Sequence, residues 1–290
     1  MLKKSTGLKA NIIEMTKFDI SLYNGQLADK AKKIIPKIFK SVQKARLDYK
    51  KEINDRPTKI KLAPIDFWDE IIDKAKSLGI DLIGFAPVDE KLIFENDFVG
   101  GIELLYENGI VLGMEMDYKA INTAPDPLAG LESFRIYAEL GIATNELADF
   151  IRSKGYKAIA CHPLGGPILY PAMAVKAKLG KIGRQGLLIT KEFGPRQRLS
   201  MIAINSGPLP ETKKSNLQIS EFCESCKRCI HFCPVNAILE KPIINDNGIT
   251  TRINSDKCFE YFYKHTGCSV CIETCPFHKI GYKALYYRRI

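Results

Sequence analysis

Residues 223–234 read Cys-Glu-Ser-Cys-Lys-Arg-Cys-Ile-His-Phe-Cys-Pro, and residues 258–276 repeat the theme as Cys258-x9-Cys268-x2-Cys271-x3-Cys275-Pro276. Eight of the nine cysteines in this 290-residue chain fall in these two runs. This is the spacing that wraps thiolates around [4Fe–4S] cubes, with the fourth Cys of each run ligating the other cluster. The spacing therefore assigns Cys223, Cys226, Cys229 and Cys275 to one cube, and Cys258, Cys268, Cys271 and Cys233 to the other. A Cys-x2-Cys-x2-Cys loop curls so that three sulfurs reach three irons while its backbone N–H groups point at the cluster sulfurs. The proline after the last Cys presets φ where a helix starts, at a position whose N–H has no helical partner. A disulfide framework belongs to small secreted chains. Zinc prefers closed four-ligand sites to three-cysteine runs ending in Cys-Pro. Two cubes on one crossed scaffold make a short electron wire, and a wire implies something at its end to reduce or oxidise.

Working outward, the length allows one large domain plus a small one, and 46% hydrophobic residues is ordinary for a globular chain. No run of 18 apolar residues marks a membrane-spanning helix. Met1-Leu2-Lys3-Lys4-Ser5 has neither an apolar h-region nor a twin-arginine pair, which reads as cytoplasmic. Eight reduced thiolates fit a reducing compartment and an anaerobe.

The net charge of +10 is localised. Residues 1–62 hold 16 Lys+Arg against 6 Asp+Glu, and the remaining 228 carry 27 of each sign. Within that segment Leu27, Ala31, Ile34, Ile35, Ile38, Val42 and Ala45 recur at helical spacing. They predict an amphipathic helix on the body with a solvated lysine face, kinked or divided at Pro36. The lysine face is either merely solvated or a dock for something acidic: a small electron carrier, RNA or anionic lipid. Aromatics are not interleaved with the charges as single-strand binders require.

The middle of the chain predicts helices over 66–78, 128–153 and 171–179, with strands at 80–86, 109–116, 157–161, 187–190 and 199–206. Alternating strands and helices suggest a layered α/β core followed by a small ferredoxin module. The division expected is a basic helical segment (1–62), a central domain (63–215) and the cluster module (216–290).

Leu179-Gly180-Lys181-Ile182-Gly183-Arg184-Gln185-Gly186-Leu187-Leu188-Ile189-Thr190, followed by Phe193-Gly194-Pro195-Arg196-Gln197-Arg198-Leu199, is the second informative stretch. Its glycines permit tight turns and close approach of backbone to a ligand. They do not form the Gly-x-Gly-x-x-Gly turn of a dinucleotide site, nor a phosphate loop. Residue chemistry alone allows a bulky planar ligand against this backbone.

This stretch, followed by the two cysteine runs, resembles the cobalamin-dependent reductive dehalogenases and their relatives the epoxyqueuosine reductases, which finish a tRNA wobble base. The resemblance covers roughly residues 65–280. It implies an α+β, flavin-nitroreductase-like domain that holds base-off cobalamin, with a C-terminal module of two [4Fe–4S] clusters passing electrons to cobalt. By the same resemblance, Gly180, Gly183, Gly186, Arg184 and Leu187 lie at the corrin or its nucleotide tail. Gly166, in the loop after His162, lies at the corrin's lower side. Tyr137 resembles the family's proton donor over cobalt, and Arg196 is the candidate basic partner. A tyrosine on this apolar helical stripe could equally be plain core with its hydroxyl satisfied by backbone, and Arg196 could equally pair a carboxylate.

Other residues read more plainly. The family binds cobalamin without a His ligand and the chain has no Asp-x-His-x-x-Gly motif, so His162 reads as structural. Cys161 reads as a core thiol, and Asp117-Tyr118 as a turn. The implied activity is reductive removal of a leaving group from a small molecule, fed by a ferredoxin or flavodoxin. The alternatives are an electron-transfer protein that reduces a partner without its own corrinoid, and tRNA modification.

Overall fold

The computed structural model describes residues 22–54, 60–95, 104, 106–211 and 217–287. The first 21 residues of the basic segment, and with them the Met1–Ser5 reading, lie outside these.

The elements follow the hydrophobic pattern. Helix α1 (Gly25–Glu52) is followed by the short strand β1 (Lys61–Leu62) and helix α2 (Ile65–Ser77). Strands β2 (Leu82–Pro87) and β3 (Asn108–Glu115) lead to the one-turn helix α3 (Tyr118–Ile121) and the long helix α4 (Pro127–Ser153). Next come β4 (Ala158–Cys161), α5 (Tyr170–Lys176), the hairpin β5 (Lys181–Ile182) and β6 (Leu188–Ile189), β7 (Gln197–Ile204) and β8 (Ser206–Gly207). Helix α4 starts where expected because Asp126 accepts from the Leu128 N–H and Pro127 occupies the first turn.

The main sheet runs β2-β3-β7-β4 with every neighbouring pair antiparallel. The core is thus α+β, which corrects the α/β layering drawn from strand–helix alternation. Alternation constrains the order of elements and leaves strand direction open. β3 and β7 read as central strands because they carry long buried runs.

Alternation along β7 assigns its two faces. Ser200 Oγ lies 2.7 Å from Thr144 Oγ1 on α4. Gly84, in register with Val111 and through it with Met201, faces Ala177 at the end of α5. Helices α4 and α5 therefore cover opposite faces, and even-numbered β7 residues point at α4.

The basic helix is part of this body. Ile35, Ile38 and Val42 pack with Phe134, Ala138 and Leu164, and Ala45 and Tyr49 join the main core. Five of the seven expected residues are buried, with Leu27 and Ile34 half-buried. Pro36 sits inside the continuous helix, on its exposed side. Arg152 of α4 pairs with Asp48 at 3.0 Å, and Tyr106 donates to the buried Glu52 at 2.9 Å.

His162 closes the same corner. The Leu164 N–H donates to its Nδ1 at 3.0 Å, so its proton sits on Nε2, 2.9 Å from Ser41 Oγ. Burial holds the imidazole neutral and pushes its pKa down to about 4. The ring lies flat against Gly141 of α4, where an added Cβ would stand 2.1 Å from Nε2. Gly141→Ala is therefore expected to cost about 1–3 kcal/mol through overpacking. Thermal unfolding of the iron-loaded protein measures it, and an unchanged midpoint would mean that the α1–α4–β4 corner yields.

The C-terminal module contains α6 (Ser220–Cys226), α7 (Arg228–His231), the hairpin β9 (Ile238–Ile244) and β10 (Thr250–Ile253), α8 (Ser255–Lys264), α9 (Val270–Glu273), α10 (Pro276–Lys279) and α11 (Tyr282–Tyr287). The turns between these short helices bring the cysteines together. Lys227 adopts φ +50° between the second and third cysteines of the first run.

Candidate functional site: a dicluster module against a Tyr–Arg pair

The thiols gather in the crossed arrangement that the spacing implies. Cys275 lies close enough to Cys223 and Cys229 for their charges to act on it, and Cys229 feels Cys223 and Cys226. Cys258 and Cys268 both feel Cys233, and Cys271 feels these three as well as Cys229, at the border of the two sets. Each run thus sends its fourth cysteine to the other set. Among the described residues no three His, Cys, Asp or Glu side chains approach closely enough to ligate a single ion.

Burial, aided by mutual repulsion, pushes Cys229 and Cys258 up to about 11 and Cys275 up to about 12. Cys271 rises further in the same direction. Such thiols become ligands only when iron replaces their protons. Backbone N–H groups already point at several of them. Phe277 and His278 serve Cys275, Val270 serves Cys268, and Ala237 N lies 3.2 Å from Cys233 Sγ. These donors fit an anionic cube.

Helix α4 and β7 supply the neighbouring pair. Thr144 touches Ser200, so stepping back seven residues on the helix and two on the strand keeps the same faces and brings Tyr137 opposite Arg198. The Arg198 guanidinium lies over the Tyr137 ring, 4.8 Å from its centroid, and Nη2 donates to Ser133 Oγ at 2.7 Å. Its charge also acts on Cys258 and Cys268. Phe134 packs against the tyrosine ring, and Phe262 packs edge-on against Phe134. Arg198 Nε is buried without a partner among the described residues. No hydrogen bond to the Tyr137 hydroxyl occurs among them either, so this is not the backbone-satisfied core tyrosine that its stripe allows.

Arg196, the residue singled out from the sequence, serves elsewhere. Its Nε donates to the Met116 carbonyl at 3.0 Å, Nη1 stands 3.1 Å from His278 Nδ1, and Nη2 pairs with Glu115. The basic group beside Tyr137 is Arg198. The only sequence signal for it was a second arginine two residues along Gly-Pro-Arg-Gln-Arg, on the β7 parity that faces α4.

The glycines have packing reasons of their own. A Cβ at Gly180 would stand 2.3 Å from the Ile189 carbonyl, and one at Gly183 would stand 2.6 Å from Gln185 Oε1. Gly186 has φ +78° at the β5–β6 turn and faces Arg252 and Ile253 of the cluster module. Arg184 donates through its backbone N–H to Cys223 and through Nη1 to the Glu240 carbonyl. Leu187 packs on the main core. At Gly166 a Cβ would meet the Tyr170 hydroxyl at 1.6 Å, and that hydroxyl donates to the His162 carbonyl at 2.8 Å. Cys161 is a fully buried thiol pushed up to about 12, and Asp117 caps α3 through the Ala120 N–H.

A 4Fe-4S dicluster domain family matches residues 222–279. A tetrachloroethene reductive dehalogenase of Sulfurospirillum multivorans is 37% identical over 183 residues, covering 60% of this chain and 36% of that protein. This chain is a relative of the reductive dehalogenases. An epoxyqueuosine reductase of Atelocyanobacterium thalassa is 26% identical over 139 residues, covering 45% of this chain and 44% of the other. A solved catabolic reductive dehalogenase superposes with TM-score 0.72 at 20% identity, over 99% of this chain and 45% of that one. A second solved reductive dehalogenase, described with a mechanism for B12-dependent dehalogenation, gives TM-score 0.71 at 19% identity, over 95% of this chain and 43% of that one. The chain thus spans just over a third of the curated dehalogenase it matches, and the α+β fold with its dicluster module is shared with this family. No described helix is long and apolar enough to cross a membrane.

Proposed function

We propose that the protein is a corrinoid-dependent iron–sulfur reductase that removes a leaving group from a small molecule. The observation that carries this reading is the Tyr137–Arg198 pair, which combines a phenol whose hydroxyl has no hydrogen bond among the described residues, a guanidinium on its ring, and cluster cysteines within reach of that guanidinium's charge. A proton source and an electron source share one locus. The residues fit a corrinoid of the kind the B12-dependent relative uses: an acid, a cation over its ring, and an Arg198 Nε buried without a partner among the described residues. Tyr137 and Arg198 are the residues that would stand beside a corrinoid, whereas at Gly166, Gly180 and Gly183 the space a Cβ would need is already taken by Tyr170, Ile189 and Gln185.

When bound, a reduced corrinoid cobalt supplies the electrons that break the bond to the leaving group. The chain's own residues do the rest. The eight cysteines of the two runs would hold the cubes, which would supply single electrons from a ferredoxin- or flavodoxin-class donor. The Tyr137 hydroxyl gives the proton that replaces the leaving group. Arg198, over the ring face, stabilises the phenolate left behind. Phe134 packs against the Tyr137 ring and Phe262 against Phe134, which holds the phenol in place for the proton transfer.

A second reading, an electron-transfer protein without its own corrinoid, is favoured by the exposed Lys30, Lys33, Lys37 and Lys40 along α1, a face suited to an acidic partner. The tRNA reading rests on the epoxyqueuosine reductase relatives and gains nothing from Tyr137. Anaerobic production with cobalamin supplied, followed by metal analysis and EPR, separates the first two. The expected result is about one cobalt with a base-off signal beside about eight irons per chain. Eight irons without cobalt, where a control relative loads it, would overturn the corrinoid reading.

A further inference from the structure

We infer that Arg196 is a positioning and potential-setting residue for the cube that takes Cys275, acting through His278. The inference rests on the dicluster assignment and not on the corrinoid.

The segment leading into β7 grips the Cys275 turn at two points. Gly194 has φ +60°, and a Cβ there would stand 2.5 Å from the Phe277 carbonyl, so the two backbones meet where only glycine fits. Two residues on, Arg196 Nη1 stands 3.1 Å from His278 Nδ1. His278 Nε2 lies 3.2 Å from Asn122 Oδ1, an atom that only accepts, so Nε2 carries the proton and Nδ1 accepts from Arg196. The imidazole is thus a neutral bridge, buried and held between two fixed partners. Its own backbone N–H, with that of Phe277, donates to the Cys275 sulfur.

Arg196 therefore acts on the cube in two ways. Its guanidinium is buried at 9% exposure, where a charge is weakly screened. It also locks the ring whose main chain supplies N–H donors to the Cys275 thiolate. Taking up one electron adds one negative charge to the cube and changes no bond. A nearby cation and oriented N–H groups both favour the reduced form, so both raise the potential. Glu115, paired with Arg196 and 37% exposed at its side chain, offsets part of that charge. Arg198 lies near Cys258 and Cys268 of the other cube. One short stretch of chain thus reaches the Cys275 turn through Arg196 and His278, and Cys258 and Cys268 of the other set through the charge of Arg198.

The test is an EPR-monitored redox titration of the iron-loaded chain, read as two one-electron waves. Arg196→Met is expected to move one wave to lower potential and leave the other in place, with iron content near that of the wild type. Arg196→Lys, which keeps the charge, is expected to restore part of the shift. Glu115→Gln, which leaves the guanidinium uncompensated, is expected to move the same wave upward. A structural staple would not produce shifts of opposite sign. Two unmoved waves in Arg196→Met would overturn the inference. If that variant fails to load iron, an unmoved wave in Glu115→Gln would overturn it equally. A wild-type chain with fewer than two clusters would instead count against the dicluster assignment.

Discussion

Tyr137→Phe is expected to lower turnover by roughly 10²–10⁴-fold, the range for losing a positioned general acid. Iron content, cobalt content and thermal midpoint should stay near their wild-type values. The substitution removes one oxygen, and that oxygen makes no hydrogen bond among the described residues, so little folding energy goes with it. The ring keeps its place against Phe134 and under Arg198, so the change isolates the proton from the packing. Single-turnover reduction of a halogenated substrate by the pre-reduced protein, followed as halide release, measures it directly. Unchanged halide release would mean that the proton comes from solvent or from another residue, and Tyr137 would revert to a packing role. Arg198→Met adds a contrast. It should also slow turnover, because the phenolate formed in the step loses its cation, and it exposes no new buried charge.

The second large effect concerns the crossed wiring of the cubes. Cys233→Ala and Cys258→Ala are expected to damage the same cluster, although 25 positions of sequence separate the two residues. Cys275→Ala and Cys223→Ala are expected to damage the other. Each variant should lose at least one iron of about eight, and an oxidised three-iron signal should replace one of the two cube signals. If Cys233→Ala instead pairs with Cys223→Ala, the thiols regroup run by run on loading, and the proximity of Cys233 to Cys258, Cys268 and Cys271 would not survive assembly. The distinction matters for function, because the cube taking Cys258 and Cys268 is the one whose ligands feel Arg198, beside the proposed proton donor.

Much of this was legible in the chain alone. The boundaries of α4 could be read to within a residue because Asp126-Pro127 is a local start signal and the apolar stripe runs to Phe150. Strands β2, β3 and β4 could be read from short apolar runs between turns. The basic helix gave its buried face through Ala31, Ile35, Ile38, Val42 and Ala45, because period 3.6 is a property of the backbone and needs no partner to be seen. Cluster ligation was the strongest signal. Three thiolates on one cube must come from one tight loop, so their spacing is written locally.

Strand direction, the partner of Tyr137 and the work of the glycines were not legible in the same way. β3 pairs with β7 across some ninety positions, and nothing local to either strand states whether they run together or opposed. Arg196 and Arg198 are the same residue type two positions apart on one strand parity. Only the arrival of Glu115, Met116 and His278 at one, and of α4 with Ser133 and Tyr137 at the other, separates the arginine at the Cys275 turn from the one beside Tyr137. Gly166 reads as a ligand-facing glycine in the sequence, whereas Tyr170 stands against it in the fold. The sequence by itself determined the features set by contacts within a few residues: helix faces, caps, turns and the three-thiolate loops. The tertiary structure alone decided which distant groups meet, since those pairings depend on the packing of the whole core rather than on any residue's own propensity.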